Sequence, residues 1–184
     1  MHHFFQAVLL FLAALVALTS VQAADMLFFV EGDCNNHQYD DWLYCTNFEP
    51  GFCCHAEAPF CGGVLCQNCI GDTFAVFQGT DSCPGLDQAN DTCTPKSRLN
   101  CCLPGGASSK CAGSYYAPTS NNHDDGHCLS GPPSNTTCRH PDAMVYHDAD
   151  GVKREIQNMT FETYKMSLAL YHKGNIKGLN GTPV

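Results

Sequence analysis

The sequence predicts a small disulfide-rich fold: short β-strands in two stapled modules, followed by a C-terminal β-hairpin and one α-helix. Three observations predict it. Fourteen cysteines stand in 184 residues, they fall into two series of the same order, and the last stretch of chain carries hairpin and helix signals but no cysteine. So many cysteines fit an oxidising compartment and a scaffold that relies on staples as well as on a core.

Residues 1–23 read as a signal peptide. A strongly apolar run from Phe4 to Leu18 precedes Thr19-Ser20-Val21-Gln22-Ala23, where small residues suit a signal peptidase. The run is shorter than the roughly 20 residues a spanning helix needs. The mature chain is therefore expected to be secreted and extracellular, with no membrane segment after cleavage. Asn-X-Ser/Thr sites at Asn90, Asn135, Asn158 and Asn180 agree with a glycoprotein, Asn180 being the poorest because Pro183 follows its Thr182.

The first cysteine-rich module is placed at residues 24–75 and the second at 76–138. The first series runs Cys34, Cys45, Cys53-Cys54, Cys61, Cys66 and Cys69, and the second runs Cys83, Cys93, Cys101-Cys102, Cys111, Cys128 and Cys138. Cys45, Cys53 and Cys54 recur 48 residues later as Cys93, Cys101 and Cys102, the kind of fixed offset that duplication leaves. Within the modules Met26 to Val30 and Thr73 to Phe77 are β-favouring runs bounded by Gly and Asp, and read as buried strands. The Gly-, Ser-, Pro- and Asn-rich stretch from Leu103 to Pro133 reads as a long loop. Seven cysteines per series is an odd number, so full oxidation within one chain requires at least one bridge between the series.

The cysteine-free tail occupies residues 139–184. Ala143 to His147 and Val152 to Gln157 flank Asp150-Gly151, a hairpin signal. Thr160 is a suitable N-cap, Met159 and Tyr164 are spaced as a hydrophobic staple, and Gly174 is placed to end a helix. Phe161, Tyr164, Leu168 and Tyr171 recur at helical spacing and give that helix one apolar face to dock.

Charge narrows the partners. From Ala24 to Pro95 there are eleven acidic residues and no Lys or Arg, so nucleic acid and anionic lipid are poor partners. Familiar catalytic signatures are missing: no Gly-X-Ser-X-Gly, no His-Glu-X-X-His and no phosphate-binding glycine loop. His123-Asp124-Asp125-Gly126-His127-Cys128 resembles the His-Asp pair of secreted phospholipases, yet it lies among Asn, Gly and Pro and reads as a solvated loop. His147-Asp148 is explained by the hairpin turn, and Cys66-Gln67-Asn68-Cys69 reads as two half-cystines. No catalytic residue, metal ligand or cofactor site is assigned. Lys153-Arg154 has the form of a processing site and reads as an ordinary pair on a hairpin strand.

The order of cysteines from Cys34 to Cys66 resembles the inhibitor-cystine-knot framework of toxins and protease inhibitors. That resemblance implies bridges Cys34–Cys54, Cys45–Cys61 and Cys53–Cys66, then Cys83–Cys102, Cys93–Cys111 and Cys101–Cys128, with Cys69 left for Cys138. It also implies an inhibitory loop, with Lys110 or Arg98 at its tip. Cys53-Cys54 with Cys61-Gly62, and Cys101-Cys102 with Cys111 and Tyr115-Tyr116, resemble hevein-type chitin-binding modules, although His55 and Leu103 stand where that family has serine. In layout the whole chain resembles the small secreted cysteine-rich, effector-like proteins of filamentous fungi. These readings converge on a non-catalytic binding protein with an extracellular protein or polysaccharide as partner, a knottin-type inhibitor or toxin being the alternative. Trp42, Tyr44, Tyr115 and Tyr116 are the candidate binding residues, because aromatics give large contact area at low entropy cost.

Overall fold

A computed structural model describes residues 24–31, 34, 40–69, 73–94, 100–106, 108–116 and 138–184. Residues 1–23, read above as a signal peptide, the segment His123 to Cys128, Arg98 and Asn135 lie outside these residues, as do the side chains of Tyr115, Tyr116 and Cys138.

The described residues are mostly β, with two sheets, one α-helix and two single-turn 3-10 helices. The strands are β1 Ala24–Phe29, β2 Trp42–Phe48, β3 Cys53–Glu57, β4 Gly63–Gln67, β5 Thr73–Gln78, β6 Asp91–Cys93, β7 Asn100–Pro104, β8 Lys110–Tyr116, β9 Cys138–Arg139, β10 Ala143–His147, β11 Lys153–Ile156 and β12 Thr182–Pro183. The seven-stranded sheet has the order β12-β11-β10-β2-β1-β4-β7, and the five-stranded sheet the order β6-β5-β8-β3-β9. All pairings are antiparallel except β3 with β9. Both predicted strands are present, as β1 and β5. The cysteine series at 24–75 and 76–138 do not form separate sheets, for each sheet takes strands from both, and β5 itself spans the boundary.

Side chains alternate across each strand, so each sheet has an inner and an outer face. Met26, Phe28, Leu43, Cys45, Val64, Met144 and Tyr146 of the first sheet meet Cys54, Ala56, Phe74, Val76 and Cys111 of the second in one buried core. Fully burying such an aliphatic or aromatic side chain is worth about 1.5–3 kcal/mol. Smaller apolar clusters lie on the outer faces: Leu27, Phe29, Trp42, Leu65 and Val145 on the first sheet, Ala75, Phe77 and Ala112 on the second.

The expected loop from Leu103 is corrected in its first part. Residues 110–116 form β8, which pairs with β5 on one side and β3 on the other. Its Lys-Cys-Ala-Gly-Ser run has low β-propensity, and packing overrides that preference. A Cβ at Gly113 would come within 2.5 Å of Met26 Sδ, so a small residue is needed where β8 crosses β1.

The knot pairing is also corrected. The bridges are Cys34–Cys102, Cys45–Cys54, Cys53–Cys83, Cys61–Cys111, Cys66–Cys69 and Cys93–Cys101. Three of them join the two series, as parity requires. The physical reason is strand alternation. Cys53 and Cys54 are neighbours on β3 and leave it on opposite faces, Cys54 inward to Cys45 and Cys53 outward to Cys83. Cys101 and Cys102 divide in the same way on β7, to Cys93 and to Cys34. Cys69 is taken by Cys66, which removes the expected bridge to Cys138; Cys128 lies outside the described residues.

The tail folds as expected, with one adjustment. β10 and β11 form the hairpin, and only Gly151 of its Asp150-Gly151 pair has positive φ, at 75°. Asp148 Oδ1 accepts from the N–H groups of Asp150 and Val152, both at 2.9 Å, and so shapes the turn. Helix α1 covers Phe161–His172 and starts with Thr160 Oγ1 accepting from Thr163 N at 3.2 Å. It ends in a Schellman pattern: Gly174 N–H donates to Tyr171 O, Asn175 N–H donates to Leu170 O, and Gly174 takes φ of 66°. Tyr164 and Leu168 are buried, and Tyr171 packs on Phe60 with ring centroids 4.8 Å apart. Among the described residues no helix is long and apolar enough to cross a membrane.

Candidate functional site

The outer face of the seven-stranded sheet presents a row of residues set by register. Leu27 pairs with Tyr44 and Leu65, Phe29 with Trp42, Trp42 with Val145, and Val145 with Glu155. Period-2 alternation then brings Asp25, Gln67 and Lys153 onto the same face. These side chains enclose an open groove of about 360 Å³, with Leu27, Trp42, Tyr44 and Val145 as its apolar walls and Asp25, Gln67, Lys153 and Glu155 as its polar ones.

Trp42 is 9% exposed, seated beside Phe29 at 5.6 Å between ring centroids. Lys153 Nζ lies 4.2 Å from the centre of its ring, a cation–π contact that places a positive charge in the wall. Tyr44 is half-buried and its phenol donates to Glu155 Oε1. Burial raises the Tyr44 pKa well above its ordinary value of 10.0, and the Glu155 carboxylate raises it further, so the hydroxyl remains protonated. Glu155 Oε2 accepts from Gln157 Nε2 at 2.6 Å, and Asp25 Oδ1 accepts from Asn47 N at 3.0 Å. The acceptors are therefore held in place by the sheet and its margins. The arrangement joins aromatic and aliphatic walls to a few oriented donors and acceptors, which suits a ligand rich in hydroxyl or amide groups.

Of the candidate binding residues, Trp42 and Tyr44 are brought together here. Tyr115 and Tyr116 belong by their backbone to β8, in the other sheet, paired with Phe74 and Thr73. Asp25, Gln67, Lys153 and Glu155 were not among the candidates. A signal for two of them exists, since alternation in Val152 to Gln157 puts Lys153 and Glu155 on one face.

Other singled-out residues have structural partners. Lys110 begins β8 and its Nζ is 2.8 Å from Asp81 Oδ2. That hydrogen bond holds the Asp81 carboxyl below its ordinary value of 3.8. Arg154 Nε reaches Asp148 Oδ2 at 2.5 Å and its Nη1 donates to Gly181 O at 3.2 Å, while β11 is paired on both sides. His147 Nδ1 and Tyr171 Oη each lie 2.7 Å from an oxygen of Asp41, an arrangement that ties α1 to the sheet. Among the described residues no group of His, Cys, Asp and Glu is arranged to hold a metal ion.

The chain matches no protein-family model, no curated protein and no solved structure. The staples fit a secreted or extracellular protein.

Proposed function

We propose that this is an extracellular, non-catalytic binding protein, and that the groove on the outer face of its seven-stranded sheet takes a segment of polysaccharide. The observation that carries this reading is the convergence of Trp42 and Tyr44 with Asp25, Gln67, Lys153 and Glu155 on one rigid strand surface. A sugar ring has C–H faces for the apolar walls and hydroxyls for the fixed carboxylates, amide and phenol. Both signs of charge are present in the walls, so a neutral glycan meets no large repulsion. A bridge such as Cys34–Cys102, closing a separation of 68 residues, contributes about 4 kcal/mol in the chain-entropy model by restricting the unfolded chain.

The experiment is a panel of immobilised polysaccharides, chitin, cellulose, β-glucan and mannan among them, with retention measured for the native protein and for Tyr44→Ala. Retention by at least one matrix is expected, with about tenfold weaker binding for the variant, equivalent to roughly 1.4 kcal/mol. Passage through every matrix excludes a polysaccharide ligand and turns the search to a protein partner.

A further inference from the structure

Three of the Asn-X-Thr sites lie on described, exposed chain: Asn90, Asn158 and Asn180. Asn90 differs from the others in that its side-chain amide is already oriented. It stands directly before β6, an edge strand of the five-stranded sheet. Its backbone N–H donates to Val76 O at 2.9 Å, and its Oδ1 accepts from Gln78 N at 2.7 Å. The side-chain carbonyl thus continues the β5–β6 ladder where the strand itself stops. An amide group is planar, so fixing Oδ1 also fixes Nδ2, and on an exposed residue Nδ2 is the atom left for substitution. Thr92, the third residue of the site, is exposed as well. By contrast, Thr160 of the Asn158 site uses its Oγ1 to cap α1, and Thr182 of the Asn180 site is followed by Pro183.

We propose that Asn90 carries an N-linked glycan and that this glycan covers the edge of the five-stranded sheet at β6. The inference rests on the reading that the chain enters a secretory pathway. In the transfer, Asn90 Nδ2 bonds to the anomeric carbon of an oligosaccharide carried on a lipid pyrophosphate. The carbon–oxygen bond to the pyrophosphate breaks, the lipid pyrophosphate leaves, and the amide loses one proton. Oδ1 remains an acceptor, so the bond from Gln78 N survives the modification. Among the described residues no strand pairs with the outer side of β6. An open strand edge is a template for pairing with another chain, and a bulky hydrated group beside it blocks that approach.

The test uses the full chain expressed in a eukaryotic secreting cell. Protein from the medium is treated with peptide N-glycosidase in ¹⁸O water, and residue 90 is expected to be recovered as ¹⁸O-labelled aspartate. Thr92→Val, which removes the site but keeps Asn90 and its ladder bond, is expected to lose the mass of one glycan. Light scattering is expected to show more self-association for that variant and for the enzymatically stripped protein than for the native one. An unlabelled Asn90 in secreted protein overturns the assignment of the glycan. Unchanged self-association after stripping overturns its role at the edge. Protein retained inside the cell without glycan overturns the secretory reading and the inference together.

Discussion

In the proposed binding groove, Tyr44 and Glu155 are the residues on which recognition would depend most directly. The phenol is held protonated and donates to the carboxylate, so each would meet a ligand in a defined role. Tyr44→Phe keeps the ring and removes the hydroxyl that holds Glu155 Oε1; binding of the retained polysaccharide is expected to weaken severalfold with little change in melting temperature. A second residue-scale prediction concerns His55. Burial lowers its pKa from 6.5, and its Nδ1 is buried with no hydrogen-bond partner among the described residues. The unfolded chain therefore binds a proton there at a higher pH than the native one does. Stability contributed by the neutral ring is present above pH 6.5 and declines as pH falls from 6.5 toward the lowered native value. Melting curves at stepped pH should show His55→Leu losing less stability than the native protein on acidification from pH 7 to pH 5. Gly62 gives a third. A Cβ there would stand 2.2 Å from Val30 O and 2.6 Å from the carbonyl carbon of Glu31. Gly62→Ala is expected to cost about 1–3 kcal/mol in denaturant unfolding, because backbone has to move.

At the scale of elements, the tail was the most legible part of the chain. Thr160, Gly174 and the Phe161-to-Tyr171 spacing act within one helix, and local chemistry of that kind is written in consecutive residues. The cysteine bridges were legible only as far as parity. Knot order compares positions along the chain, whereas Cys53-Cys54 and Cys101-Cys102 are governed by the two faces of a strand. β8 was hidden for a related reason: its Ala112, Gly113 and Ser114 are chosen for close packing between two neighbouring strands, which single-sequence propensity does not register. Two of the eight groove residues, Trp42 and Tyr44, could be named in advance, because they are aromatic. Asp25 and Gln67 could not, since nothing local says that β1 and β4 lie side by side. An element-scale prediction follows for Lys153-Arg154. Both residues lie within β11, which is hydrogen-bonded on each side, and both side chains are engaged. Trypsin acting on the native, oxidised protein should leave the bond after Arg154 intact, as read by mass spectrometry; rapid cleavage there would show that β11 opens readily.

Across the whole molecule, two sheets share one apolar core and three bridges cross between the two cysteine series, so neither series is set to keep its shape without the other. The outer-face groove is a consequence of that assembly, for its walls come from β1, β2, β4, β10 and β11. Trp42 is the single tryptophan of the chain, which makes its emission a direct reporter of the groove. The decisive measurement is a fluorescence titration of the oxidised protein with soluble fragments of the polysaccharide that retains it. A saturable change in Trp42 emission, with a midpoint displaced to higher concentration by Glu155→Gln, is the predicted result. Retention on the polysaccharide with Trp42 emission unchanged throughout the titration would contradict the assignment of this groove as the binding site.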